Sequence, residues 1–314
     1  MSVKKIKIVF AGSADFGLLT LQNILNNDRF EVTAVLSQPA KPVGRKQELM
    51  LPPIGRFAEL NNLKLFTPNN TKELELLLNS LERPDFLVVI AYGLIVPQTV
   101  LDWPQIAPIN VHGSLLPKYR GASPIQSALL ANEEIVGNSY MKMSLEMDAG
   151  PIYSVSSLPL VGTETADQVF AALAKQSAED LPDMLVKIAN DDIKPDAQNG
   201  EPTFCKKIRK DDARVDWLKD SRLDVISKYR AYYPWPGLFF DHMGQRVIVS
   251  ELCIEKTKVD FVLKPGEMLI HLDKLFVGTT NEPVEILKVK PAGRSEMRAA
   301  DWLRGLENKN RLGA

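Results

Sequence analysis

The chain has 314 residues, of which 45% are apolar and 25% charged, with a net charge of −1. That length fits roughly two domains at about 150 residues each, and leaves room for a large core. No apolar run is long enough to span a bilayer, and the two cysteines, Cys205 and Cys253, match no metal or disulfide spacing, so a reduced, cytoplasmic protein with no metal and no membrane contact is expected.

The opening MSVKKIKIVFAG is basic and then apolar, but the apolar part is too short for a leader and SADFG follows it without a cleavage pattern. Residues 6–12 read as a first strand, and 15–27 as a helix with Asp15 as its N-cap. Strands over 30–37 and 63–66 flank a helical stretch at 53–62, and a second helix over 71–82 takes Thr71 as its cap. DFLVVIAYG, residues 85–93, is apolar on both faces, as a central parallel strand is. PINVHG follows as the next strand, then more alternating strands at 137–144 and 150–160 and a long helix over 165–190, interrupted at Pro182.

Alternating βα units place residues 1–190 in the α/β class, as an open, mostly parallel, Rossmann-like sheet that binds ligands at the carboxyl ends of its strands. The polar stretch 191–207 reads as a linker. Residues 208–314 give one helix, 221–233, and several short strands with close turns, which predicts a smaller OB-like β-barrel. The charge divides the same way. Residues 206–314 hold 21 Lys and Arg against 16 Asp and Glu, leaving 17 against 23 in the front of the chain. A basic rear suits an anionic partner, and a chance surface fluctuation gives the same numbers.

Chemistry concentrates in APINVHGSLLPKYRGASP, residues 107–124. The chain has three histidines, and His112 stands two residues after Asn110 and just before Gly113. On a strand, that spacing points both side chains to one face. An amide N–H stabilises a forming oxyanion, and an imidazole moves protons near neutral pH. The same spacing suits a histidine satisfied by backbone groups at a loop start. Asp148, in the MDAG turn 36 residues downstream of His112, is a carboxylate that would fix the imidazole tautomer or take a proton from an amine; an ordinary turn aspartate reads alike. The first strand ends in AGSADFG, which lacks the G-x-G-x-x-G spacing of a dinucleotide site.

NVHGSLLPKYRGASPIQ together with MDAGPI resembles the signature of the folate-dependent formyltransferases. The resemblance extends through IVFAGSADFG, SQPAKPVGRKQELMLPP, VVIAYGLIVP, RVDW and YYPWPG to nearly the whole chain, and is greatest to the branch whose acceptor is initiator Met-tRNA. It implies a formyltransferase fold and 10-formyltetrahydrofolate as formyl donor and cosubstrate, released as tetrahydrofolate. It assigns Asn110 and His112 to the oxyanion and Asp148 to holding His112 and removing the amine proton. Ser114, Leu115, Leu116 and Pro117 match the folate-contacting stretch, with Ile90, Tyr92 and Gly93 as a second wall of an apolar pterin slot. A monomer is expected.

Two stretches speak for tRNA. Residues 37–53 form a 17-residue connection, long for a βα unit, and carry Lys41, Arg45 and Lys46 as a basic, flexible loop. Arg45 matches the position that the resemblance assigns to the end of the acceptor stem. Lys206, Lys207, Arg209 and Lys210 place further charges for phosphates at the domain junction. YYPWPGLFF reads as packing rather than a base-stacking platform. Three rivals stand. A formyltransferase acting on a nucleotide-sugar amine or a purine precursor leaves the basic loop and basic rear domain unexplained. A non-catalytic RNA-binding protein has no need for Asn110, His112 and Asp148 together. A nicotinamide oxidoreductase lacks its glycine fingerprint.

Overall fold

The computed structural model describes residues 4–44 and 46–312, with side chains to residue 306. The chain divides into two compact units, the first comprising Met1–Pro124, Ile135–Pro159 and Phe170–Cys205, the second Ile125–Glu134, Leu160–Val169 and Lys206–Ala314.

Elements run in the order β1 (Ile6–Gly12), α1 (Leu18–Leu25), β2 (Phe30–Leu36), β3 (Lys41–Val43), β4 (Glu48–Met50), α2 (Pro53–Leu60), β5 (Leu65–Phe66), α3 (Thr71–Leu77), β6 (Phe86–Ile90), α4 (Gln98–Leu101), β7 (Ala107–His112), β8 (Arg120–Gly121), α5 (Pro124–Leu130), β9 (Ile135–Lys142), β10 (Ile152–Pro159), α6 (Ala166–Ala189) and β11 (Phe204–Cys205). The main sheet has the order β10-β9-β7-β6-β1-β2-β5. Strands from β5 across to β7 are parallel, while β9 and β10 add antiparallel at one edge. All five residues of β6 are buried, as a strand covered on both faces requires. Each large aliphatic side chain removed from water there contributes about 1.5–3 kcal/mol. The chain leaves β1 for β2 and returns to β6 on β1's other side, so the strand order reverses between β1 and β6. Ligands enter open sheets outside the carboxyl ends at such a reversal.

Three local expectations shift. The 15–27 helix begins with a short 3-10 turn, so α1 starts at Leu18 and Asp15 does not cap it. Asn70, not Thr71, caps α3, its side chain accepting from Glu73 N at 3.0 Å. Pro182 lies inside an unbroken α6. A proline removes the N–H that the carbonyl four residues earlier would use. That carbonyl, Ala178 O, instead accepts from Asn23 Nδ2 at 2.9 Å.

The polar stretch 191–207 is largely ordered within the first unit. Asp196 forms a two-way bridge with Ile152, and β11 pairs in parallel with β8. Within the 37–53 connection, Lys41–Val43 and Glu48–Met50 pair as two short antiparallel strands, β3 and β4.

The second unit continues with α7 (Arg222–Tyr232), β12 (Phe239–His242), β13 (Gln245–Leu252), β14 (Met268–His271), β15 (Lys274–Val277), β16 (Val284–Pro291), β17 (Met297–Arg298) and α8 (Ala299–Leu312). Ser221 and Asp224 cap α7 reciprocally. The strands form one antiparallel sheet, β12-β13-β16-β15-β14, with β17 beside β16. The expected barrel is not closed: β12 and β14 remain at opposite ends of the sheet. Val225, Phe240, Val249, Ile286 and Trp302 centre the core beneath it. Within YYPWPGLFF, Leu238, Phe239 and Phe240 are core, whereas Trp235 is 54% exposed.

Candidate active site

β7 runs beside β6, pairing Asn110 with Val89, and ends at His112. His112 is buried, and its Nε2 lies 2.9 Å from the Tyr119 carbonyl. A carbonyl only accepts, so Nε2 carries the ring hydrogen. That leaves Nδ1 facing Asp148 Oδ1 at 3.6 Å, longer than a hydrogen bond. Two acceptors face each other across this gap, and one proton or one N–H donor satisfies both. The Asp148 side chain remains 16% exposed, against 7% for His112. Asn110 is partly buried, and its side-chain amide has no partner among the described residues. The fold thus unites His112 and Asp148 across 36 residues, with Asn110 two positions up the same strand.

Asp148 sits at φ +52°, in the left-handed region. For a non-glycine residue this costs about 1–2 kcal/mol and needs support. Its Oδ2 accepts from Gly121 N at 2.8 Å. Gln198 Nε2 donates to Asp148 O at 2.7 Å and to Gly150 O at 2.9 Å. Gly121 has φ +122°, and a Cβ there would run into the Cys205 carbonyl oxygen, so only glycine places its N–H on Asp148. Glu146 pairs with Arg120 Nη1 at 3.4 Å.

The 114–117 stretch is pinned from β9. Ser139 Oγ accepts from Leu116 N at 3.0 Å and donates to Ser114 O at 2.7 Å. Ser114 and Leu116 are buried; Leu115 and Pro117 are partly exposed. Beyond Ile90, the chain turns through Ala91 and Gly93, both with positive φ. Tyr92 O accepts from Ser13 Oγ at 2.9 Å and Gly93 O from Gln38 Nε2 at 2.9 Å, which ties this turn to the ends of β1 and β2. Ile90 is fully buried, and the Tyr92 ring packs in the core with Val9, Ala11 and Val89. Burial pushes the Tyr92 phenol above its ordinary range, and among the described residues its hydroxyl has no hydrogen-bond partner. Of the three residues expected to form the second wall, only Gly93 is exposed.

Among the basic residues, Lys41 and Lys46 are exposed in the 37–53 connection, and Lys41 Nζ donates to Gln38 Oε1 at 2.6 Å. Arg45 lies outside the described residues. Lys206, Lys207, Arg209 and Lys210 are exposed; Arg209 pairs with Asp212 at 3.5 Å. Among the described residues, no helix is long and apolar enough to cross a membrane, and no cluster of three His, Cys, Asp or Glu residues is placed to hold a metal ion.

Residues 4–185 match the formyl transferase family model, and 207–307 match that of the formyl transferase C-terminal domain. The chain belongs to the formyl transferase family. It is 36% identical over 302 residues to a methionyl-tRNA formyltransferase of Mesoplasma florum, covering 96% of this chain and 95% of that protein. It is 34% identical over 303 residues to one of Legionella pneumophila, covering 95% of each. Among solved structures it resembles an N-formyltransferase of Helicobacter canadensis in complex with folinic acid and dTDP-3-aminofucose, with a TM-score of 0.64, 18% identity, and coverage of 90% of this chain and 98% of that one. At that identity the likeness concerns the formyltransferase fold alone. Residues 186–206 lie between the two family matches.

Proposed function

We propose that this formyltransferase moves the formyl group of 10-formyltetrahydrofolate to the α-amino group of methionine on initiator Met-tRNA. The observation that carries the chemistry is the gap between His112 Nδ1 and Asp148 Oδ1 at the end of β7, two residues along that strand from Asn110, whose side-chain amide has no partner among the described residues. The similarity to methionyl-tRNA formyltransferases over 95% of the chain carries the acceptor.

The neutral amine attacks the formyl carbon, and the carbonyl oxygen becomes an oxyanion. Asn110 Nδ2 and His112 Nδ1, once it holds a proton, are the donors for that charge. Asp148 holds His112 and takes the proton that the amine sheds on forming its new bond. The tetrahedral intermediate then collapses, the bond from carbon to folate N10 breaks, and N10 takes up the proton that Asp148 received from the amine, which leaves tetrahydrofolate and restores the carboxylate. The attacking amine needs no covalent enzyme intermediate, so positioning and oxyanion stabilisation supply the acceleration. Ser114, Leu115, Leu116 and Pro117 are assigned to the folate, with the backbone of the turn from Ile90 through Tyr92 to Gly93 as the second wall. Lys41, Arg45, Lys46, Lys206, Lys207, Arg209 and Lys210 are assigned to the tRNA.

The test is N-formylation of charged initiator tRNA by the purified protein with 10-formyltetrahydrofolate as the sole donor. Formylmethionyl-tRNA and tetrahydrofolate in equal amounts are expected. Folded protein that yields neither rejects the reading.

A further inference from the structure

Gln198 belongs to the polar stretch that reads as a linker, and it lies outside both family matches. Its side chain is nonetheless fully engaged at the site. Nε2 donates to two backbone carbonyls, Asp148 O at 2.7 Å and Gly150 O at 2.9 Å. Oε1 accepts from Arg120 Nε at 3.1 Å and Nη2 at 2.8 Å. The donor end meets only acceptors and the acceptor end only donors, which fixes the amide orientation. Arg120 in turn reaches Glu146 Oε1 at 3.4 Å. The network therefore grips the catalytic turn on both sides of Asp148, at Glu146 and at Gly150.

The same stretch also holds the other side of the site. Thr203 Oγ1 accepts from Tyr119 N at 2.8 Å, and Thr203 O accepts from Arg120 N at 2.8 Å. Tyr119 supplies the carbonyl that sets the His112 tautomer, and Gly121 supplies the N–H on Asp148 Oδ2. Residues 198–205 thus hold the Asp148 backbone directly and the backbone at Tyr119, whose carbonyl meets the His112 ring.

We propose that Gln198 is a positioning residue for formyl transfer, holding the left-handed Asp148 turn so that its carboxylate faces His112 Nδ1. The proposal rests on the function assigned to Asp148 above. It extends the catalytic unit through the apparent linker to residue 205. Gln198 touches neither reacting group, so its effect on turnover passes through Asp148.

The experiment measures steady-state formyl transfer from 10-formyltetrahydrofolate to initiator Met-tRNA, using the full chain carrying Gln198→Ala, Gln198→Glu, Asp148→Ala and the Gln198→Ala/Asp148→Ala pair. Misplacing a reacting group by an ångström lowers turnover steeply, so Gln198→Ala is expected to lose about 10-fold or more in kcat. KM for donor and acceptor stays within about threefold, because the loss falls on the transition state rather than on binding. The paired variant is no slower than Asp148→Ala alone, since residues acting as a unit are not additive. The pH–rate profile of Gln198→Ala takes the shape of the Asp148→Ala profile.

Gln198→Glu keeps the side-chain size and the contact to Arg120 but loses both donors, and it loses kcat likewise. It also reads the effect should the alanine variant fail to fold. Unchanged kcat in a folded Gln198 variant, or losses that multiply in the paired variant, overturns the proposal. Full turnover by Asp148→Ala overturns the underlying site assignment instead, and the two failures are told apart by that single variant.

Discussion

His112 has one ring nitrogen committed to a backbone carbonyl and the other open toward a carboxylate. This division of labour makes the pair useful in acyl transfer, because the tautomer is set before substrate arrives. Asn110→Ala removes the proposed oxyanion donor and Asp148→Ala the proton acceptor. Each is expected to lower turnover by about 10²-fold or more while far-ultraviolet circular dichroism stays unchanged. A folded variant of either residue with near-normal turnover removes it from the mechanism. These three residues were legible in the sequence, because a strand's period of two and a short signature carry them. Gln198 and Thr203 were not. Their contribution is a set of hydrogen bonds to the backbone of residues far away in the chain, and such bonds leave no periodicity. Tyr92 reads like its neighbours in an apolar run, and only packing reveals that its ring joins the core.

At the scale of elements, the central strands were readable because both faces of β6 are buried and its sequence is apolar without alternation. The course of α6 was not, since proline ordinarily ends a helix. Its continuity depends on Asn23 in α1 serving the carbonyl that Pro182 leaves open. Asn23→Ala is expected to lower stability by about 1–2 kcal/mol in urea unfolding, the cost of a buried acceptor left unmade. A loss below a few tenths of a kcal/mol contradicts that account. The pairing of β8 with β11 was equally hidden, because two-residue strands have no pattern. Gly121→Ala there forces a Cβ into the Cys205 carbonyl at a backbone angle suited to glycine. It is expected to cost on the order of 2 kcal/mol and to reduce turnover through the lost N–H on Asp148. A variant as stable and as active as the wild type contradicts the close approach.

For the whole molecule, the sequence conveyed a mostly parallel sheet followed by a separate antiparallel one but overstated the closure of the second. Closure depends on pairing between distant edge strands, and strand spacing alone does not report it. Within the second unit, the buried Arg230 guanidinium lies 3.8 Å from Glu164 Oε2 and donates from Nε to Glu164 O at 2.9 Å. Burial works to raise the Glu164 carboxyl, but backbone N–H groups of Val161 and Gly162 together with Arg230 outweigh it and leave the group below its ordinary 4.5. The folded value is depressed, so this contribution is present above about pH 4.5 and is lost as pH falls below it. Acid unfolding followed by tryptophan fluorescence should therefore be less steep in Glu164→Gln, and an unchanged acid limb contradicts this. Binding of tRNA is expected to weaken with salt, and Lys207→Ala and Lys210→Ala should each flatten the slope by about one unit. A slope that neither substitution alters removes those lysines from the interface. The central claim is the acceptor. The most direct test gives the enzyme labelled 10-formyltetrahydrofolate with initiator Met-tRNA, elongator Met-tRNA and an amino sugar nucleotide in parallel. The account predicts label on the initiator with little on the other two. Label on the sugar alone, or on none of the three with folded protein, contradicts it.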